Sequence, residues 1–496
     1  METVGRSIAI DSTLDDAPRA HASLYRSFLA GLAWTAAAKW STQLVSWASM
    51  LIAVRLLSPA DFGIASMAGV YLGLATLFSE FGLGAAVVYV RGLAASQVQQ
   101  LNAVSVFLGA AAFAASCLLA HSLASFFKTA ALAPVIVVMS ATFIVSSFQV
   151  IPYALLQRDR CFKQLAAADA GRALAQALTM VACALLGLKY WALVCGGIAG
   201  AATSTSMLIG LRPVSFAWPR SASIRSAATF GRRVLVSRLA WYTCSNADFV
   251  VAGRVLGQQQ LGAYTVAWNL ASASIDKLTD LISRVGPAFV SEVQHEPPAL
   301  RRYLRTLTEG VALITIPVTV GLALTGREVV LGLLGARWEA AIVPLQLLAV
   351  YASVRSLTTL VAPVMSAVDL QWAARYGLVF SIVLPAAFWV GTRWGTTGVA
   401  AAWVCVYPLL YIPIYRRLFD RLEMTTLEYL NAVRPALSGS LAMAAVVSAV
   451  RLTCATCPAT TLLVFEVLAG AATYVSFLAL FHRARIRALR RIVGHE

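Results

Sequence analysis

The feature that most constrains this chain is a succession of apolar stretches separated by short polar breaks. A bilayer-spanning helix needs about 20 predominantly apolar residues. Stretches of that order lie at 29–55, 63–90, 101–123, 131–156, 165–187, 191–211, 230–253, 261–290, 304–325, 338–367, 374–391, 396–415, 435–451 and 461–481. They amount to about 14 spans, of which 261–290 and 338–367 each contain several polar residues. The runs are continuous rather than alternating and too long for tilted strands, which excludes a β-barrel. In lipid only helices satisfy their own backbone groups, so the predicted fold class is an all-α polytopic membrane protein.

Composition agrees. Of 496 residues, 59% are hydrophobic and 12% charged, against roughly 25% charged in an average soluble domain. That balance excludes a soluble enzyme, a disordered tail protein and a nucleic-acid-binding domain. The formal net charge is +17. With the N-terminus in the cytoplasm, the inside segments collect Arg26, Arg91, Arg158, Arg160, Lys163, Arg212, Arg220, Arg225, Arg301, Arg302, Arg305, Arg375, Arg416, Arg417, Arg421 and Arg434. A basic tail from Arg483 adds to them, whereas most outside loops carry about one cation each. The roughly threefold bias predicts cytoplasmic N- and C-termini and an even span count, with no nucleic-acid partner. Residues 1–27 contain Glu2, Asp11, Asp15, Asp16 and Pro18 and lack an apolar core, so they read as a cytoplasmic tail rather than a cleavable signal. No loop exceeds about 20 residues, which leaves no room for an extramembrane catalytic domain.

The chain also repeats itself. Arg55-Leu-Leu-Ser-Pro-Ala-Asp-Phe-Gly63 aligns with Arg254-Val-Leu-Gly-Gln-Gln-Gln-Leu-Gly262 at an offset of 199 residues. At the same offset Lys39 meets Arg238 and Ser46 meets Ser245. The basic loop at 157–164 is echoed more weakly by 367–375. Internal repeats mark transporter folds, with the substrate site at the repeat interface. The predicted organisation is a tail (1–27), an N-lobe of spans one to six (28–211), a cytoplasmic linker (212–228), a C-lobe of spans seven to twelve (229–416), two extra helices (417–482) and a basic tail (483–496). An even number of spans per block relates the lobes by an axis along the membrane normal.

Several motifs then resemble one family in order and spacing. They are Gly31-Leu-Ala-Trp-Thr35, Arg55–Gly63, Glu80-Phe-Gly-Leu-Gly84, Leu155-Leu-Gln-Arg-Asp-Arg-Cys-Phe162, Gly262-Ala-Tyr-Thr-Val-Ala-Trp268, Ser283-Arg-Val-Gly-Pro-Ala-Phe289 and Gly332-Leu-Leu-Gly-Ala-Arg-Trp338. Over residues of about 25 to 420 the chain resembles the polysaccharide transporter family, the Wzx-type flippases of the MOP superfamily. The resemblance implies a V-shaped pair of six-helix bundles around a cationic cavity. It implies a substrate, an oligosaccharide on undecaprenyl pyrophosphate, moved across the bacterial cytoplasmic (inner) membrane for exopolysaccharide, capsule or O-antigen (lipopolysaccharide) synthesis. Membrane lipids, and a polysaccharide polymerase with its export machinery, are the further partners it implies. No cofactor is expected, beyond coupling to a proton or sodium gradient. The chain has no Gly-x-x-x-x-Gly-Lys-Ser/Thr run, and Gly82-Leu-Gly84 lies in an apolar stretch rather than after a strand.

Charges at membrane depth are expensive and nominate a functional site. Lys39 and its repeat partner Arg238 are the first candidates for a diphosphate, since guanidinium groups hold phosphate oxygens bidentately. Arg355, deep in the tenth span, and Arg55 and Arg254, at the outer ends of theirs, are further candidates, with interfacial anchoring as the alternative for the last two. In the eighth span Lys277, Asp280 and Arg284 share one stripe with Asp276 beside it, either a self-neutralised face or a substrate-lining helix. Glu80, Asp248, Asp276 and Asp280 are the candidates for proton or ion coupling, and the role of Glu466 stays open. Trp34, Trp40, Trp47, Trp241 and Trp268 flank these positions as interfacial or sugar-stacking residues. Gly69-x-x-x-Gly73 and Gly196-x-x-x-Gly200 read as close helix packing.

Nothing in the sequence points to catalysis. Its five His are scattered, and its single Cys-x-x-Cys, Cys454 and Cys457, supplies only half the ligands zinc needs, leaving a local disulfide as the other reading. The expected function is a flippase working by alternating access, and not an enzyme. The alternatives are a multidrug or cation exporter of the same superfamily, disfavoured by the excess of intramembrane cations, and a membrane glycan polymerase or glycosyltransferase, disfavoured by the absence of a large loop. A scaffold for the assembly machinery would tolerate neutralising Lys39 and Arg238.

Overall fold

The computed structural model describes residues 42–90, 92–273, 275–276, 296–454 and 457–483, and every regular element among them is helical. The first repeat contains α1 (Thr42–Leu56), α2 (Pro59–Glu80), α3 (Leu83–Tyr89), α4 (Ala95–Phe126), α5 (Leu132–Ser147), α6 (Val150–Arg158), α7 (Phe162–Leu185) and α8 (Trp191–Leu211). The second contains α9 (Ser221–Ser245), α10 (Ala247–Ala273), α11 (Pro297–Leu324), α12 (Ile342–Thr358), α13 (Val361–Val368), α14 (Leu370–Gly391) and α15 (Gly395–Leu422). Two more helices follow, α16 (Thr426–Thr453) and α17 (Ala459–Phe481).

Eight of the described helical segments are long and apolar enough to cross a bilayer, or nine if the bent pair α5–α6 is one span. The expected fourteen are not all within view, because the first and eighth expected spans extend beyond the described residues. Helices α7 and α9 carry more charge, with Lys163 and Arg172 on the one and Arg225, Arg232, Arg233 and Arg238 on the other. Where one span was expected at 131–156, the chain bends by 44° between α5 and α6. Hydropathy registers no break there, since both arms are apolar.

The polar motif between the first two spans is a helix start. The Ser58 hydroxyl accepts from the Asp61 N–H (3.3 Å), the Asp61 carboxylate accepts from the Ser58 N–H (2.9 Å), and Pro59 opens α2. This reciprocal cap satisfies donors that a helix start leaves orphaned. The other Asp61 oxygen accepts from the Tyr190 N–H (3.0 Å) and ties that corner to the start of α8. At the repeat-equivalent of Ser58, Gly257 takes φ +81°, a left-handed conformation that favours glycine, and kinks α10 where the seventh span gives way to the eighth.

The repeats meet through equivalent residues. Ser66 and Thr265, 199 apart, are hydrogen-bonded hydroxyl to hydroxyl at 2.8 Å. A Cβ on Gly63 would lie 1.8 Å from the Gln258 carbonyl oxygen, and one on Gly262 would lie 1.7 Å from that of Pro59. Pro59 and Gln258 are also 199 apart. The contact is therefore reciprocal, as a pseudo-two-fold axis between α2 and α10 requires, and it brings backbone against backbone as small residues do in membranes. One apolar core runs through this seam, from Val54, Phe62 and Met67 to Leu261, Trp338 and Trp403. The weaker echo holds as well: Asp159 after α6 pairs with Arg212 at the end of α8 (3.2 Å), and Asp369 after α13 pairs with Arg417 near the end of α15 (2.9 Å).

Elsewhere small residues again mark close approaches. Gly196 and Gly200 lie against Met180, Gln176 and Arg172 of α7, and Gly73 cradles the Tyr242 ring. Gly69, expected to pack similarly, faces open space. Helices α16 and α17 pack on each other and on α11, where the Tyr474 hydroxyl donates to the Leu313 carbonyl (2.8 Å).

Gly63→Ala and Gly262→Ala should each destabilise the protein by about 1–3 kcal/mol or more, because overpacking here displaces backbone rather than a side-chain tip. Gly69→Ala should be neutral or slightly stabilising in the same thermal unfolding assay of detergent-purified protein.

Candidate functional site

The candidate residues fall into separate groups. Lys39, Lys277, Asp280 and Arg284 lie outside the described residues. Arg55 and Arg254, equivalent by repeat, both reach across the interface to backbone carbonyls. Arg55 donates from Nε to Leu333 O and from Nη2 to Gly332 O, both at 2.7 Å. Those carbonyls belong to a single π-helical turn, Val329–Leu334. Arg254 donates to the Phe126 carbonyl at the end of α4 and sits 5.2 Å from the centre of the Phe126 ring. A guanidinium complements the unsatisfied carbonyls and negative dipole of a helix C-terminus. Trp338 adds an indole N–H to the Val54 carbonyl (3.0 Å) and meets Phe62 edge-on at 5.4 Å. The end of the interface nearest Gly63 and Gly262 is therefore closed by capped carbonyls, packed rings and touching backbones.

Farther along α2 a second contact forms with α9. The Tyr242 hydroxyl donates to the Val70 carbonyl (2.9 Å), and Arg238 Nη1 lies 3.6 Å from Glu80 Oε2. A Cβ on Gly231 would lie 2.4 Å from the Phe81 carbonyl oxygen. Gly231, Arg238 and Tyr242 are spaced by seven and four, so one face of α9 follows α2. The Arg238 and Glu80 side chains remain 54% and 42% exposed, which leaves this pair open to a ligand.

The other candidates lie within the second repeat. Arg355 pairs with Asp276 (3.0 Å) and donates to the Ser272 hydroxyl (3.2 Å). Asp248 is fully buried, and its Oδ2 accepts from the Tyr264 hydroxyl (2.6 Å) and the Trp403 N–H (3.0 Å). Its Oδ1 has no hydrogen-bond partner among the described residues. Trp268, expected as an interfacial or stacking residue, packs instead among Phe249, Tyr264, Tyr351 and Trp403. From Trp403 a ladder of rings runs down α15 through Tyr407, Tyr411, Tyr415 and Phe419, with centroids 4.8–6.3 Å apart. Its spacing of four was legible in the sequence but was not singled out. Hydroxyl bonds from Tyr407 to Thr358 and from Tyr415 to Tyr429, both 2.9 Å, fasten it to α12 and α16.

One cluster had no sequence signal beyond the lone Glu466. Arg451 near the end of α16 donates to Glu328 (2.8 Å), Glu466 (3.1 Å) and the Leu324 carbonyl (2.5 Å). Glu466 is completely buried and Glu328 nearly so. Glu328 immediately precedes the turn that Arg55 holds, so the two added helices are bonded to the closed end of the interface. Cys454 and Cys457 are both free thiols, and the described residues contain no cluster of three or more His, Cys, Asp or Glu that could hold a metal.

Comparison with known proteins places this architecture. The profile of a family described as polysaccharide biosynthesis protein matches residues 52–343, more than half of the chain. The chain belongs to that family. The lipopolysaccharide biosynthesis protein WzxC of Escherichia coli (strain K12) is 24% identical over 429 residues, covering 84% of this chain and 83% of the relative. The succinoglycan biosynthesis transport protein ExoT of Rhizobium meliloti (strain 1021) is 23% identical over 406 residues, covering 79% and 80%. Among solved structures, the lipid II flippase MurJ in an inward closed conformation superposes with a TM-score of 0.71 at 13% identity, over 91% of this chain and 99% of that one. An inward-facing multidrug resistance transporter of the MATE family, MOP superfamily, gives 0.61 at 13% identity over 77% and 96%. This polysaccharide biosynthesis protein is thus a multi-pass membrane protein that shares its fold with those two structures, and its relatives are named for biosynthesis and transport rather than for catalysis.

In this polysaccharide biosynthesis protein, Arg451→Met should cost about 3 kcal/mol or more, since it leaves two buried carboxylates without their cation. Adding Glu328→Gln and Glu466→Gln should recover most of that loss in thermal unfolding, because removing a whole buried ionic cluster is far cheaper than orphaning part of it.

Proposed function

We propose that this protein is a flippase that moves undecaprenyl-pyrophosphate-linked oligosaccharide repeat units across the bacterial inner membrane, supplying exopolysaccharide, capsule or O-antigen synthesis. The observation that carries the reading is the reciprocal seam between equivalent residues of the two repeats, with the exposed guanidinium of Arg238 beside it. A substrate bound at a repeat interface is exposed to opposite sides when the repeats rock about it. Family membership and the relatives named for lipopolysaccharide and succinoglycan biosynthesis support the same substrate class. In the proposed orientation both termini are cytoplasmic, the Gly63–Gly262 end faces outward and the Glu80–Arg238 end faces the cytoplasm.

The chemistry divides accordingly. Arg238 and Arg355 would hold the diphosphate, whose oxygens suit bidentate contacts to guanidinium groups. Arg55 and Arg254 would act on the conformational equilibrium, by capping carbonyls in the outward-closed state. The polyprenyl tail would stay in lipid while the headgroup crosses. Moving a headgroup of charge near −2 out of a cell that is negative inside by 100 mV gains about 4–5 kcal/mol. A gradient of protons or sodium would add to that through Asp248, a buried acid with one oxygen unpartnered among the described residues, which lies next to the α2–α10 seam through Tyr264.

Deleting the gene should make finished repeat units accumulate on undecaprenyl pyrophosphate and abolish the surface polymer, as read by mass spectrometry of extracted lipids. Normal lipid intermediates together with normal polymer would reject the proposal. Complementation by Arg238→Gln should restore less than about a tenth of the polymer, since losing a charge-assisted phosphate contact in a partly dry site costs roughly tenfold or more.

A further inference from the structure

Glu80 is the last residue of α2, where the chain leaves the helix through Phe81 (φ +45°) and Gly82 (φ +67°). A carboxylate at a helix C-terminus faces the negative end of the helix dipole and the last free carbonyls, which disfavours it. The helix therefore gives no reason for an acid at this position. Among the described residues, what holds the carboxylate is a single cation from the other repeat, Arg238, at 3.6 Å. That contact is neither bidentate nor within hydrogen-bonding distance, and both side chains are about half exposed. A diphosphate offers more charge and more oxygens in the geometry a guanidinium prefers. The surrounding seam stands without the ion pair, because the Tyr242–Val70 bond and the Gly231–Phe81 approach flank it on either side.

We propose that Glu80 is a resident competitor for the anionic headgroup: its carboxylate occupies Arg238 in the empty protein, and a ligand bearing a diphosphate displaces it. The inference rests on the headgroup assignment made above, and it makes Glu80 a specificity-determining residue. Neutral and zwitterionic lipids, which fill the membrane around the protein, cannot repay the loss of the Glu80 contact, whereas a multiply charged anion does. Binding also severs the one ionic tie between α2 and α9 among the described residues, so occupancy of the site is linked to loosening of the interface at that end.

The test uses full-length protein in nanodiscs, with geranylgeranyl diphosphate as probe and geranylgeraniol as its uncharged control, read by tryptophan fluorescence titration. Glu80→Gln should bind the diphosphate about two- to fivefold more tightly, the strength expected of a half-exposed ion pair, with binding of the alcohol unchanged. In an Arg238→Gln background the same substitution should have no effect on either probe. Unchanged or weaker diphosphate binding by Glu80→Gln, with Arg238 intact and an unaltered unfolding temperature, would overturn the competition. If instead wild type and Arg238→Gln bind the diphosphate equally, the headgroup assignment itself fails and the inference with it.

Discussion

Everything in this molecule is arranged around two glycines that let one repeat touch the other backbone to backbone. Gly63 lies against the Gln258 carbonyl and Gly262 against that of Pro59, at distances no side chain could share. In a bilayer there is little hydrophobic drive between helices, so association rests on close packing and on polar bonds that lipid cannot offer. The glycines provide the first and Ser66–Thr265 the second. Because both belong to the repeat frame, the junction is symmetric, and symmetric junctions can open by rotation about their own axis. The arginines reinforce it from outside the axis, Arg55 and Arg254 each capping a carbonyl terminus that belongs to the opposite repeat.

The second theme is that the described candidate guanidinium groups are engaged rather than bare. Two kinds of engagement occur. Arg55, Arg254 and Arg451 bind carbonyls, the last together with two buried acids, in contacts that fix structure. Arg238 and Arg355 bind only side chains, each facing one partly exposed acid, in contacts that a stronger anion can exchange. Under the proposed function this distinction would separate scaffold from site more sharply than depth in the membrane does. It also shows how α16 and α17 take part: through Arg451 and Glu328 they hold the turn that Arg55 caps, so stability added by the two extra helices is transmitted to the closed end of the interface.

Much of this was legible in the sequence because it repeats or because it is apolar. The offset of 199 residues read from Arg55–Gly63 and Arg254–Gly262 predicted which residues are equivalent, and the structure brings several of those equivalents into contact. Hydropathy located the helices. It missed the bend between α5 and α6, since the apolar run continues through it, and it read Ser58–Asp61 as a loop where the chain builds a reciprocal cap. Long-range ion pairs carried no signal: Arg451 is 123 residues from Glu328 and Arg238 is 158 from Glu80, separations that no local pattern encodes. The Trp403-to-Phe419 ladder did carry one, a strict spacing of four, but in a chain this rich in aromatics it was masked by the general apolar background. Gly69 shows the opposite error, a small residue at a suitable spacing that packs against nothing.

The symmetry of the frame is not matched by symmetry of its polar contents. At the offset of 199, Asp248 corresponds to Ser49, Tyr264 to Ala65 and Asp276 to Leu77, while Glu80 corresponds to Thr279. The buried acid with its hydroxyl and indole donors, and the Asp276 half of the Arg355 pair, therefore belong to the second repeat alone. The first repeat alone contributes Glu80, whereas each repeat supplies one capping arginine, Arg55 or Arg254. A protein that only needed to rock could have kept both halves alike, since equal halves rotate about an axis as readily as unequal ones. Under the proposed mechanism, unequal charge on an equal frame would make the two ends of the motion differ in energy, and an anion or a proton arriving in one repeat would bias the whole rotation. A charge-carrying ligand can shift a two-state equilibrium only through contacts that differ between the states. Under the proposed function those contacts would be the ones at Arg238 and Arg355, placed in a repeat whose backbone contacts with the other half are shared evenly.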